Sequence, residues 1–345
     1  MKIAVVLFNL GGPDSLTAVE PFLRNLFGDP AIISLPGFVR RPLARLIASR
    51  RAPIAREIYA HMGGRSPIVE ETQEQARALE LALQVRGHQA KCVIAMRYWH
   101  PLTAEAIETV KAFSPERIVL LPLYPQYSTT TTASSLSEWR KLARRARLNP
   151  QQHEVCCYPF EDGFADALCE QLEGAFRRAK PDLDYRVLFS AHGLPKRIVH
   201  RGDPYQWQVE RTVLAVLERW RGTPFDHTIC YQSRVGPLEW IGPATDAEIR
   251  RAGPEGKALI VVPVAFVSEH SETLVELDIE YGKLARGSGV PDYIRVPAVR
   301  AHPQFIDGLA RLALAALASP RPVNCASGRI CPEGRICGQE RTAHA

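Results

Sequence analysis

A chain of 345 residues, 46% of them hydrophobic, can bury one large α/β core or two smaller ones, which excludes a short peptide or a disordered tail. Its formal charge of +6 permits an anionic lipid surface or an acidic substrate but falls short of a nucleic-acid-binding footprint. Eight cysteines in a chain expected to stay in the cytoplasm read as thiols or metal ligands rather than disulfides.

The first apolar run, residues 3–8, stops at Asn9 and Gly11 without a small-residue cleavage site, so it predicts a strand and not a signal peptide. No apolar run is long enough to cross a bilayer. The Asn9-Leu10-Gly11-Gly12-Pro13 segment that follows matches neither G-x-G-x-x-G nor the P-loop pattern. It predicts a tight turn, or a place where a flat ligand approaches the backbone. Between residues 26 and 62, Ile32, Ile33, Leu35, Phe38 and Val39 mix with Arg40, Arg41, Arg45, Arg50, Arg51 and Arg56. That mixture suits an anionic membrane surface, the rim of an apolar pocket, or an amphipathic helix packed on the core.

Further β-branched runs at 92–96, 118–122, 155–158, 187–190, 228–232 and 259–266 alternate with helical stretches, which implies a mostly parallel sheet architecture. Pro181 and its charged neighbours divide these runs into two halves, each a small doubly wound domain. In open parallel sheets the ligand crevice lies beyond the carboxyl ends of the strands, so the segments at 9–13, 97–101, 191–195 and 269–272 carry the functional weight. The loop from Leu123 through Ser128 and four threonines is hydroxyl-rich and suits solvation.

His192 ends one run between Ala191 and Gly193, small neighbours that leave room around its ring. A strand-end imidazole is a suitable proton acceptor near neutral pH. Glu269, Glu272, Glu276 and Glu280 recur at spacings of three and four, which on a helix makes one acidic stripe, with Leu274, Leu277 and Tyr281 on the opposite face. A solvated acidic face is the plain reading. The crevice position and His270 favour hard oxygen ligands for a ferrous ion, or a proton relay. A helical pattern over 305–317 then ends at Pro320 and Pro322, and the tail beyond holds Cys325, Cys331 and Cys337 among Gly, Pro and Arg, a poor composition for a core and a good one for a metal loop.

From Ile3 to about Leu317 the sequence resembles the ferrochelatase family. The resemblance is carried by Asn-Leu-Gly-Gly-Pro at 9–13, Gly-Gly-Arg-Ser-Pro-Ile at 63–68, Arg-Tyr-Trp-His-Pro at 97–101, Tyr-Pro-Gln-Tyr-Ser at 124–128 and Phe-Ser-Ala-His-Gly-Leu-Pro at 189–195. It continues through Arg-Gly-Asp-Pro-Tyr at 201–205, Gln-Ser-Arg-Val-Gly-Pro with Trp240 at 232–240, and Ser-Glu-His-Ser-Glu-Thr-Leu-Val-Glu-Leu-Asp-Ile-Glu-Tyr at 268–281. It implies an α/β fold of two Rossmann-like lobes, each a parallel sheet flanked by helices, with the active-site cleft between them. The expected domains are 1–175, a lobe with a porphyrin lip; 176–310, a lobe with the catalytic histidine and acidic helix; and 311–345, a helix and a cluster-binding tail.

The resemblance places the family's histidine on His192 and its catalytic glutamate on Glu272, with Glu276 and Glu280 continuing the acidic path. His192, Glu272, Glu276, Glu280 and His270 are the expected contacts of the ferrous substrate. Leu10, Arg97, Tyr98, Ser128 and Trp240 match positions that line or flank the macrocycle pocket. The expected reaction is insertion of Fe(II) into protoporphyrin IX with loss of two protons. Segment 32–39 corresponds to a lip where peripheral membrane contact is expected, a homodimer is compatible, and no nucleic-acid partner is implied. The resemblance also includes members whose C-terminal cysteines and one internal cysteine hold a two-iron, two-sulfur (2Fe-2S) cluster. Here Gly163 stands where those members have the internal cysteine, so the expected ligands are Cys325, Cys331, Cys337 and Cys157, with Cys156 or Cys169 as substitutes for the last. Because adjacent strand residues face opposite ways, only one of Cys156 and Cys157 is expected to serve. The competing readings are a chelatase for coproporphyrin III or a corrin precursor, an iron–sulfur sensor, and a nucleotide-dependent oxidoreductase, the last disfavoured by the missing fingerprint.

Overall fold

A computed structural model of the chain describes residues 1–234, 236, 238–325 and 330–336. Cys337 lies outside the described residues. Contacts divide the chain into two compact units: residues 1–157 with 309–330, and residues 158–308 with 331–336. The sequence expectation drew this line after residue 175. The helix Asp162–Phe176 instead belongs with the second unit, because Phe164 packs against Phe305 at 5.7 Å between ring centroids and the Cys169 thiol donates to the Val216 carbonyl at 3.3 Å.

In the first unit, β1 (Lys2–Asn9), β2 (Gln89–Met96), β3 (Arg117–Pro122), β4 (Gln151–Val155) and a short strand, Val323–Asn324, form a parallel five-stranded sheet in the order β2-β1-β3-β4-(323–324). Ile3 to Phe8 are all buried, as expected of a parallel strand covered on both faces. On one face, Phe8 meets Trp139 edge-on at 5.7 Å, with Ile107, Val110 and Leu120 filling around them. Of the run at 155–158 only Val155 belongs to β4, and the other three residues follow it. The strand itself is the polar stretch Gln-Gln-His-Glu-Val, satisfied in part by Trp139 Nε1 donating to Gln152 Oε1 at 2.8 Å. The tail, whose composition is poor for a core, adds Val323–Asn324 to this sheet and buries Val323 and Cys325.

In the second unit, β5 (Tyr185–His192), β6 (Asp226–Gln232), β7 (Ala258–Pro263) and β8 (Tyr293–Arg295) form a parallel sheet in the order β6-β5-β7-β8. Leu188, Cys230, Leu259, Val261 and Leu277 are fully buried on one side of it. Both sheets have the same kind of reversal. The chain leaves β1 to one side and returns on the other as β3, and it leaves β5 toward β6 and returns as β7. The strand at such a switch point opens a crevice beyond its carboxyl end. Asn9-Leu10 and His192 occupy those two ends.

Between residues 272 and 280 the chain forms a π-helix, whose wider turn is a feature often found at functional sites. The widened turn alters the expected faces. Thr273, Val275 and Leu277 are buried, while Leu274 is half-buried and Tyr281 turns its hydroxyl toward Glu276, not away from it.

Candidate active site

His192 is the last residue of β5, and its half-exposed ring is held by Glu272, the first residue of the π-helix, with Nδ1 and Oε2 2.8 Å apart. Burial opposes charge on the imidazole, but the facing carboxylate outweighs it and raises the His192 pKa. The same pair works in reverse on Glu272, where burial would raise the carboxyl and the His192 charge and hydrogen bond, assisted by His270, pull it far below the usual carboxylate range. Glu272 is therefore ionised, and Nδ1 donates to it, which leaves Nε2 as the proton-accepting nitrogen of the neutral ring. His270 Nδ1 donates to the Ser268 carbonyl at 3.2 Å, and its Nε2 stands 3.8 Å from Glu272, within ion-pair reach but beyond a hydrogen bond.

Glu276, one turn on, has the opposite electrostatics. Burial and the nearby Glu272 charge raise its pKa against hydrogen bonds from Ser233 and Tyr281. Ser233 adopts a left-handed φ of 60°, rare for a residue with a side chain, and both its backbone N–H and its hydroxyl donate to Glu276. Gln232 Nε2 donates to the Glu272 carbonyl and to Glu276 Oε2, both at 3.1 Å, and its amide is oriented by Ser190 Oγ donating to Oε1 at 2.8 Å. Two neighbouring carboxyls thus have environments that push their protonation apart, the arrangement by which one group stays ionised while the other exchanges a proton. Glu280 is exposed and lines, with Glu276, Ser233, Arg234, Asp246 and Tyr281, an open groove of about 360 Å³. Glu269, expected in the same stripe, lies before the helix. It is buried against Arg295 at 2.9 Å and accepts from Ala298 N at 3.0 Å, a structural pairing. Gly193 permits the close packing behind His192, since a Cβ there would sit 2.9 Å from the Gln232 carbonyl and 3.2 Å from the Trp240 ring.

At the corresponding end of the first sheet, a Cβ on Gly12 would meet the Ser66 Cβ at 2.5 Å, so the glycine pair brings two backbone segments together. Tyr98 is fully buried, and its hydroxyl donates to Asp29 Oδ2 at 2.8 Å. Arg97 reaches the same oxygen at 2.8 Å and donates through Nε to Ser134 Oγ, also at 2.8 Å; Ser134 in turn donates to Asp29. Asp29 is the residue that sequence reasoning missed, together with Ser134, Gln232 and Ser233. Leu10 is half-buried, and Ser128 is buried with its Oγ accepting from Thr130 N at 3.2 Å. The helix Gly37–Ala60 and the loop before it expose Ile32, Leu35, Phe38, Leu46 and Ile54, with Phe38 80% accessible.

Cys156, Cys157 and Cys325 converge in the first unit: their sulfur atoms lie within 4.8 Å of one another, and all three residues are buried. The expected alternation of Cys156 and Cys157 does not apply, because both lie past the end of β4. Cys331 is buried in the second unit, where its sulfur accepts from Gln208 Nε2 at 3.2 Å. Cys169 points its thiol at Val216.

The family model described as Ferrochelatase matches residues 2–317. The chain is 53% identical over 333 residues to the ferrochelatase of Caulobacter vibrioides, covering 96% of this chain and 95% of that one. It is 55% identical to the ferrochelatase of Phenylobacterium zucineum, with 92% of each chain covered. Among solved structures, the cobalt complex of the sirohydrochlorin chelatase SirB from Bacillus subtilis subspecies spizizenii superposes with a TM-score of 0.53 over 93% of this chain and 97% of that one; at 12% identity this likeness shows the fold. A family match over nearly the whole body, joined to relatives about half identical along their full length, means that the chain belongs to the ferrochelatase family.

Proposed function

We propose that this chain inserts ferrous iron into protoporphyrin IX to form protohaem, the terminal step of haem formation. The observation that carries the reading is the His192–Glu272 pair at 2.8 Å, with Glu276 of opposite electrostatic bias beside it. Two pyrrole N–H protons must leave before four nitrogens can bind the metal. His192 Nε2 accepts such a proton, and Glu272 stabilises the imidazolium that results, as a carboxylate does behind any histidine base. Glu276 and Glu280 then carry metal or protons along the groove. Leu10, Arg97, Tyr98, Ser128 and Trp240 are assigned to the macrocycle by the family resemblance. The buried Tyr98 serves by holding Asp29 and, through it, Arg97.

The apolar and basic surface at 32–56 fits peripheral attachment to the inner face of an anionic membrane, and no helix among the described residues is long and apolar enough to cross one. The chemistry of the thiols also fits a 2Fe-2S cluster, which would supply a redox-active or structural centre. Cys157 and Cys325, whose sulfurs are 4.0 Å apart, would serve as two of its ligands, with Cys331 and Cys337 proposed as the others. The deciding assay is anaerobic insertion of Fe(II) into protoporphyrin and coproporphyrin III, run side by side. Turnover with protoporphyrin is expected. Turnover with coproporphyrin alone reassigns the substrate, and none with either refutes the reading.

A further inference from the structure

The groove that Glu276 and Glu280 share has a second wall of opposite charge, which metal transfer by the carboxylates alone does not use. Arg234 follows β6, Arg250 stands on the helix Thr245–Ala252, and both line the groove of about 360 Å³. They share one carboxylate. Asp246 Oδ2 accepts from Arg250 Nη1 at 2.6 Å, and its Oδ1 lies 3.5 Å from Arg234 Nη2. One anion between two cations leaves this wall with one positive charge in excess. Among the described residues neither arginine pairs with Glu276 or Glu280. Glu276 is held by Gln232, Ser233 and Tyr281, and Glu280 is exposed.

A groove that served a hydrated ferrous ion alone would gain nothing from two guanidinium groups, since both repel the ion. Size argues the same way. Six waters at about 30 Å³ each fill about 180 Å³, half of the space, whereas small-molecule sites begin at about 300 Å³. Guanidinium groups recognise carboxylates through paired N–H donors, and a ferrous ion on a tricarboxylate is a monoanion that the excess charge of this wall attracts. We propose that the groove takes its iron as the ferrous complex of a small polycarboxylate of the citrate type, with Arg234 and Arg250 holding the chelator while Glu280 and Glu276 take the metal. The proposal rests on the reading of those two glutamates as iron contacts. Transfer is ligand exchange: each iron–oxygen bond to the chelator breaks as one to a glutamate forms, and the iron stays ferrous. A proton displaced from Glu276 passes to the freed carboxylate, and the chelator leaves with its electron pairs as the metal-free anion.

Anaerobic equilibrium dialysis of the full chain against radiolabelled citrate, with and without equimolar Fe(II), reads the complex without requiring turnover. One citrate per chain is expected, and only with iron, because the chelator alone meets Glu276 and Glu280 as like charges. Arg234→Gln and Arg250→Gln should each weaken retention by about two- to fivefold, the size of one exposed ion pair, and together by about tenfold. Arg250→Lys should keep most of it, and Asp246→Asn, which frees both guanidinium groups, should strengthen it. Insertion into protoporphyrin adds a crossing that general damage to the fold does not produce. The double variant should raise the KM for ferrous citrate and lower the KM for uncomplexed Fe(II), and added salt should shrink both shifts. Citrate retained equally without iron, retention indifferent to both arginines, or KM values that rise together overturn the proposal. Turnover from uncomplexed Fe(II) with no retained citrate refutes it and leaves the insertion reading standing. A retained complex with no turnover from either iron source refutes the insertion reading alone.

Discussion

Replacing Asp29 with alanine tests whether the network behind Arg97 was identified correctly. The carboxylate accepts from the buried Tyr98 hydroxyl, the Ser134 hydroxyl, the Arg97 guanidinium and, through Oδ1, the Ala31 backbone N–H. A buried donor left without an acceptor costs about 1–3 kcal/mol. Arg97 keeps 18% of its side chain accessible and regains water, so its share falls at the low end. The sum is about 3–5 kcal/mol, the range also found when a buried ion pair loses one partner. At about 2–4 °C per kcal/mol for a unit of this size, the transition of the first unit should fall by about 6–20 °C in scanning calorimetry. Asp29→Asn keeps an acceptor oxygen and should recover part of the loss. Because Arg97 also loses its tether, the KM for porphyrin should rise more than kcat falls. A transition within about 2 °C of the parent would show that the network is not a source of stability, and the reasoning with it would be wrong.

His192→Ala should lose about a hundredfold or more in turnover, the usual contribution of a positioned base, and should still fold, since the ring is 39% exposed, with a melting temperature lowered only by the loss of its pairing with Glu272; near-normal turnover by the folded variant rejects the role. In Glu272→Gln the charge that raises the His192 pKa is gone, so the rising limb of the pH–rate profile should move to lower pH, and an unmoved limb separates the two groups. The pair also bears on stability. The raised His192 pKa contributes below the unfolded histidine value and is lost as pH climbs through the folded one, whereas the lowered Glu272 pKa contributes above the unfolded carboxylate value and is lost as pH drops through the folded one. Denaturation midpoints should therefore favour the parent over Glu272→Gln most strongly between those two limits, and a constant difference across pH would contradict this. Phe38→Ser should weaken binding to anionic vesicles, and salt should weaken it further; equal binding to neutral vesicles speaks against an electrostatic surface.

The buried central strands were readable because β1, β3, β5 and β7 each hold an apolar run of three residues or more, the mark of strands covered on both faces. β4 was misplaced because its residues are polar and do not read as an apolar run, although Trp139 of the preceding helix donates to Gln152. His192 and Glu272, which the structure brings to 2.8 Å of each other, were singled out by position and motif. Asp29 was not, since a lone aspartate before proline gives no local signal and its partners lie 69 and 105 residues away. Nor does the spacing of 272, 276 and 280 tell an α-helix from the π-helix that turned Tyr281 toward Glu276. Cys156 was discounted by a strand rule that holds only inside strands, and β4 ends one residue earlier.

The first unit is discontinuous in sequence, since residues 158–308 form the second unit before the chain returns to lay Val323–Asn324 against β4. During synthesis, the edge of β4 has no partner until the ribosome has made the intervening stretch. At about 5–20 residues per second that delay is about 10–30 s, long enough for an open strand edge to recruit another chain. The polar composition of Gln151-Gln152-His153-Glu154, a poor strand signal, then has a use in the nascent protein: it keeps the waiting edge soluble until its own tail arrives.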